Sequence, residues 1–364
     1  AEGDGIQLKK KKIGTDNAVA VVMKKFQLSQ TEEADGGEIG KIFYSCASPV
    51  LSETKIIKGK ILLKGEVVIK VMYCSATGEN ESVCVNYNLP FSEIVDIENI
   101  DDSCKVSVGF NVDQVQAEPK TDNDGEYKYL NLACDICAVV TAYKAEDICI
   151  ITDAYSTQKE IDAKYKTASF TQILQNLSDS IICRESIDLS SMNPQRIYAA
   201  IAQAPEAKCC FNSDKMTVSG KIPLKFILID GEGAPTFCER EAEFEYSRSV
   251  DAKGGNLHCE PRLFLTGYTC TLTNDGRAEF KAEMNISADI EETCESRTLV
   301  SLKALENSEM KKRHSSLVIC FCSGGEKVWD IARKYNTTVE DIMSENELTS
   351  DEIGEKMMLM IPVK

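Results

Sequence analysis

A chain of 364 residues with 43% hydrophobic content has enough material for two or three domains, and 58 acidic against 41 basic residues leave a formal charge of −17. Such a field repels phosphate backbones and anionic headgroups, so nucleic acid and anionic lipid are disfavoured and a protein or a neutral glycan remains as partner. No run of about 18 apolar residues occurs and no hydrophobic signal core opens the chain, so no membrane span is predicted, while a leader removed ahead of Ala1 stays open.

In chain order, residues 6–12 and 18–28 alternate as two strands about a turn at Gly14-Thr-Asp-Asn17, with Lys9 to Lys12 as lysines guarding a solvated edge. Residues 31–40, with Glu32, Glu33, Asp35 and Gly36-Gly37, read as a loop. Strands are predicted at 41–47, 54–63, 66–74, 82–88, 103–114 and 128–143, joined by short polar connections as in an antiparallel sandwich. Residues 145–193 form an apolar joint, with a strand at 147–153 and a short helical turn at Thr171-Gln-Ile-Leu-Gln-Asn-Leu-Ser178.

The chain then repeats itself. Val67, Ile69, Val71 and Tyr73 after Gly65 are answered at an offset of 155 by Ile222, Leu224, Phe226 and Leu228 after Gly220, and the turn at Gly78 by that at Gly233. Each set is the period-two pattern of a strand with one buried face. Asn123-Asp-Gly125 and Asn274-Asp-Gly276 stand in register at an offset of 151 as hairpin signals, and Gly65 and Gly220 are expected to occupy equivalent positions of close backbone approach or bulging. The reading is mainly β: a first β-sandwich-like repeat over residues 1–155, a connecting segment and second repeat over 156–305, a polar hinge over 306–316 containing Met310-Lys-Lys-Arg-His314, and a small α+β domain of βααβ order over 317–364.

In that last domain a strand at 317–321 and a Ser323-Gly-Gly turn precede a helix at 326–335, where Val328, Ile331, Ala332 and Tyr335 recur at helical spacing. Thr338 caps a second helix at 339–345 with Asp341 in its first turn, and a strand at 357–361 runs into Pro362.

Sixteen cysteines are many for a cytosolic chain and too sparse for a small disulfide scaffold. Cys134 and Cys137 lie on a strand pattern that puts them on opposite faces, and only His258 and His314 exist to complete a zinc site, so no metal is expected. The 155 offset sets Ile201, Ile229 and Glu239 against Cys46, Cys74 and Cys84, so these thiols are not a copied internal staple. Cys209, Cys210 and Cys238, in polar stretches, are the candidates for disulfides between subunits. No nucleophile elbow, phosphate loop or His-x-x-x-His is present, so the chain reads as no enzyme, without catalytic residues or cofactor.

The tail sequence Gly325-Glu-Lys-Val-Trp329-Asp-Ile-Ala332-Arg-Lys-Tyr335-Asn-Thr-Thr338-Val-Glu-Asp-Ile342, closed by Ile361-Pro362, resembles a LysM domain. The resemblance implies binding of N-acetylglucosamine glycans such as peptidoglycan in a groove carried over to Ser323, Gly324, Gly325, Glu326, Lys327, Asn346, Leu348 and Ile353, with Trp329 in the core. Glu326, Lys327 and Lys356-Met357 depart from the family's usual Asp, Thr and Gly-Gln, which predicts weak retention on glycan. The strands through Gly65 and Gly220, the Asn-Asp-Gly turns and Thr152-Asp-Ala-Tyr-Ser156 make the repeats similar to the SPOCS domain of clostridial-type spore formers, commonly joined to a LysM. That resemblance implies a structural protein of the spore envelope, made in the mother-cell cytoplasm, whose partners are coat proteins or copies of itself in a homo-oligomer or polymer. Two alternatives are a self-polymerising, cysteine-locked subunit of a spore-surface or extracellular fibre, and a peptidoglycan-binding adaptor.

Overall fold

The computed structural model describes residues 5–35, 37–76, 82–213, 215–251, 256–309 and 317–362, the last four before residue 310 by backbone alone. The first repeat contains β1 (Ile6–Glu33), β2 (Ile39–Ile57), β3 (Lys60–Ser75), β4 (Ser82–Asp96), β5 (Lys105–Thr121) and β6 (Tyr127–Ser156). They form two sheets, ordered β2-β3-β4 and β1-β6-β5. The apolar alternation accounts for the packing: Leu63, Val67, Ile69, Val71 and Tyr73 of β3 share one buried cluster with Leu130, Leu132, Ile136 and Val140 of β6.

The second repeat contains β7 (Lys159–Asp188), β8 (Pro194–Ala202), β9 (Glu206–Asn212), β10 (Lys215–Asp230), β11 (Pro235–Ser249), β12 (Asn256–Cys259), β13 (Arg262–Leu272) and β14 (Arg277–Glu309), with a 3₁₀ turn at Ser190–Met192. Here β11-β10-β8 form one sheet with β9 also on β10, and β12-β14-β13 form another with β7 on β14. The duplication is therefore structural. Gly65 pairs with Leu51 and Phe91, and Gly220 pairs with Ala207 and Phe244. A Cβ on Gly65 would collide with the Val50 carbonyl oxygen and lie 2.8 Å from Phe91 Cζ; on Gly220 it would collide with the Glu206 carbonyl oxygen and lie 2.8 Å from Phe244 Cζ. Each glycine lets a neighbouring strand and an aromatic ring close over the backbone. Beside Gly65 the ladder shifts at Leu51/Glu53, and in the second repeat the same place is the break between β8 and β9. Gly125 and Gly276 take φ of 88° and 78° in the matching hairpins.

Several sequence expectations need correction. β1 runs unbroken through Gly14 to Asn17, because the Asp16 carboxylate is drawn inward and accepts hydrogen bonds from Lys105 Nζ at 2.7 Å and Ile173 N at 2.6 Å. The strand predicted at 54–63 is cut by a hairpin, with Lys58 and Gly59 at φ of 47° and 80°. Thr171 to Ser178 belongs to strand β7 rather than a helical turn. Residues 306–309 of the expected hinge continue β14, while 310–316 and the Gly78 turn lie outside the described residues.

Two compact units result. One contains residues 16–146 and 171–293, with the cores of both repeats; the other contains residues 1–15, 147–170 and 294–364. In the second unit lie the ends of β1, β6, β7 and β14 and the tail elements β15 (Leu317–Cys322), α1 (Val328–Tyr335), α2 (Val339–Glu345) and β16 (Met357–Pro362).

Candidate partner-binding site in the tail domain

β15 and β16 pair antiparallel, and the two helices pack Val328, Ile331, Ala332 and Ile342 against Cys322, Leu359 and Ile361. The Thr338 side chain accepts from Asp341 N at 3.0 Å, the expected cap on α2, and Glu340 and Asp341 place negative charge at that helix start. α1 ends at Asn336 in the left-handed region, its N–H bonding back to the last turn.

The carried-over groove residues lie on two adjoining loops, which are tied together by backbone hydrogen bonds. Gly325 N donates to Ile353 O at 2.7 Å, Ile353 N to Glu326 O at 2.9 Å and Val328 N to Asp351 O at 2.8 Å, with a bridge between Lys327 and Glu352. Ser323, Gly324, Glu326 and Lys327 are exposed, Leu348 is half-buried and Ile353 is buried. Asn346 is half-buried and pins the loop internally: its amide donates to Ile342 O at 2.8 Å and Met360 O at 2.7 Å and accepts from Met360 N at 2.7 Å. What the loops offer outward is charge, from Glu326, Lys327, Asp351 and Glu352, rather than the free amides that orient a sugar.

A second face is already occupied. Trp329, 7% exposed, donates from Nε1 to Asp153 Oδ2 at 2.9 Å and meets the Tyr155 ring edge-on at 4.9 Å between centroids. Arg333 Nη1 donates to the same Asp153 oxygen at 2.9 Å, Tyr165 OH donates to Asp153 Oδ1 at 2.9 Å, and Tyr155 OH donates to Thr337 O at 2.7 Å. Lys9 completes the site, its Nζ 5.7 Å from the Trp329 ring centroid. Lys9 is thus more than an edge guard, and Trp329 is a core residue whose core is shared between the tail and strand β6. Burial raises the Asp153 carboxyl, but the hydrogen bonds from Trp329 and Tyr165 and the Arg333 cation outweigh it, and its pKa falls below the ordinary 3.8. Thr152-Asp-Ala-Tyr-Ser156 carried a family resemblance in the sequence; its function as the socket for the tail has its partner 176 residues away.

A third face is bare. The outward residues of the two-stranded sheet are Leu317, Ile319 and Phe321 on β15 and Met358 and Met360 on β16, with Phe321 opposite Met358 and Ile319 opposite Met360. All are exposed, Phe321 at 75%.

Of the cysteines singled out for cross-links, Cys210 is exposed, Cys209 is half-buried with its thiol against that of Cys259, and Cys238 is buried in the second-repeat core. Cys238 is therefore corrected from surface thiol to packed apolar side chain, because alternation on β11 turns it inward opposite Phe226. Burial pushes the Cys259 thiol up to about 12. His258 is exposed near Glu260, and His314 lies outside the described residues. Among the described residues no group of three or more His, Cys, Asp or Glu side chains is placed to hold a metal ion, and no helix is long and apolar enough to cross a membrane.

Residues 38–120 match the family model described as SipL, SPOCS domain, and residues 325–362 match that of the LysM domain. No curated protein and no solved structure matches the chain. A SPOCS domain and a C-terminal LysM domain therefore stand in one chain, an architecture of spore-associated, glycan-binding proteins.

Proposed function

We propose that this chain, which joins a SPOCS domain to a LysM domain, is a non-enzymatic structural protein of the bacterial spore envelope that docks a coat protein through its LysM sheet. The observation that carries the reading is the bare face of Leu317, Ile319, Phe321, Met358 and Met360. Contiguous exposed apolar side chains rich in aromatic and Met residues are the composition of a protein interface core, and a neutral sugar polymer offers them little. The groove supports the same choice, since the backbone N–H groups of Gly325, Glu326 and Ile353 are already paired. The Asp153 clamp adds a mechanical element: it holds α1 against β6, so that force on a partner enters the long strands instead of a free tether.

Sedimentation with insoluble peptidoglycan at moderate salt tests the reading. The full chain is expected to remain largely in the supernatant. Firm retention that is lost on Glu326→Ala or Lys327→Ala, with Phe321→Lys still retained, would transfer the function to the glycan groove.

A further inference from the structure

Lys70 is the one buried lysine among the described residues, 4% exposed, and it makes no ion pair there. It lies on the face of β3 turned away from the first-repeat core, in register with Cys46 on β2 and Asn86 on β4. Asn86 is engaged elsewhere, donating to Thr266 O at 3.4 Å. The ammonium group instead sits 3.3 Å from the centroid of the Tyr268 ring and 3.8 Å from Cys84 Sγ. Burial lowers the Lys70 pKa, and Tyr44, Cys46 and Tyr268 around it are held neutral by the same loss of water.

The duplication supplies the comparison. At the equivalent place in the second repeat Lys225 stands between Ile201 and Glu239, and pairs with Glu239 at 3.6 Å on a surface where both side chains are exposed. The first repeat keeps the amine and buries it: Asn86 stands where the second repeat has Glu239, and Cys84, two residues along the ladder opposite Met72, brings a thiol to the amine instead. Cys84 itself is exposed, so a small oxidant reaches the sulfur from solvent while the amine waits behind it. A disulfide is not the natural product. Cys46 and Cys84 lie on strands either side of β3, about 9.6 Å apart by strand spacing, beyond the Cα separation of about 7 Å that a disulfide bridges.

We propose that Lys70 and Cys84 form a reversible covalent cross-link in which one oxygen atom bridges Nζ and Sγ, with dissolved dioxygen as oxidant. Neutral amine, thiol and one dioxygen give the N–O–S bridge and one water: an N–H and the S–H bond break with the O–O bond, N–O and O–S bonds form, and the second oxygen leaves with both hydrogens. Nitrogen and sulfur each lose two electrons, which match the four that dioxygen accepts. Closing the 3.8 Å gap needs only rotation about the end of the lysine chain. The product replaces a buried cation by a neutral bridge between β3 and β4, and a thiol reductant reopens it.

The test is peptide mapping of the full chain by mass spectrometry, without reductant, after incubation in oxygen-saturated or oxygen-free buffer. The expected result is a Lys70 peptide joined to the Cys84 peptide with a gain of about 14 Da, one oxygen added and two hydrogens lost, present only with oxygen and separated by dithiothreitol. Loss of the adduct is expected in Cys84→Ser, an exposed and near-isosteric change that keeps the fold, and in Lys70→Arg, while Cys46→Ser retains it. Free Lys70 beside Cys84 carrying one or two added oxygens would overturn the proposal, as would a two-hydrogen loss marking a disulfide to Cys46 or Cys74.

Discussion

Replacing Gly65 or Gly220 by alanine is expected to lower stability by about 3 kcal/mol, at the upper end of what overpacking costs, because the methyl group meets a backbone carbonyl that cannot rotate away. The obstruction at Gly65 is Val50 O with the Phe91 ring, and at Gly220 it is Glu206 O with the Phe244 ring and Ala207 Cα. Relief requires β2 to lift from β3, or β9 from β10, which breaks ladder hydrogen bonds beside the methyl group. Against a total of about 5–15 kcal/mol this is a large fraction, and at about 2–4 °C per kcal/mol it lowers the thermal midpoint by roughly 6–12 °C. Gly109→Ala is the control, since its added Cβ meets nothing nearer than Arg262 Nη1 at 3.5 Å. Midpoints for all three variants within about a degree of the parent would remove close approach as the reason for the two glycines.

The second large effect is expected at the LysM socket. Asp153→Ala strands the Trp329 indole N–H and the Tyr165 hydroxyl, each a buried or half-buried donor whose lost partner costs about 1–3 kcal/mol, whereas Arg333 turns to solvent at little cost. Trp329 is the single tryptophan of the chain, so its emission reports this contact without labelling. The variant is expected to shift emission to the red, with the repeat cores intact. Acid does the same to the parent. The folded-state carboxyl titrates below 3.8, so its contribution is complete above that value and is lost as pH falls through the lower folded pKa. Emission that stays blue in Asp153→Ala, and in the parent down to pH values that unfold it, would mean that Tyr155 and Lys9 alone hold the tail.

The alternation of Val67 to Tyr73 and of Ile222 to Leu228 made the β class and the duplication legible, because burial on one face leaves a period of two that survives divergence. Lengths and ends were less legible. The Lys58-Gly59 hairpin escaped notice because its first residue is a lysine in the left-handed region, where Asn or Asp is the usual signal. Asp16 in β1 read as part of a turn and 171–178 in β7 as a short helical turn, yet their partners Lys105, Ile173 and Thr293 come from distant strands that no local window contains. The tail was read almost to the residue, since capping by Thr338 and the helical spacing of Val328, Ile331, Ala332 and Tyr335 are local signals. Its function was harder to read: the groove could be placed by resemblance, but internal pairing of Gly325, Ile353 and Asn346, and the outward turn of Phe321, depend on register between elements far apart in sequence.

The central claim, docking of the spore envelope through the LysM sheet, is tested most directly by imaging fluorescently tagged full chain in sporulating cells. The parent is expected to encircle the developing spore, Phe321→Lys to become diffuse at unchanged abundance, and Lys327→Glu in the groove to localise as the parent does. Diffuse signal from Lys327→Glu with normal encirclement by Phe321→Lys would contradict the account and place recognition in the groove.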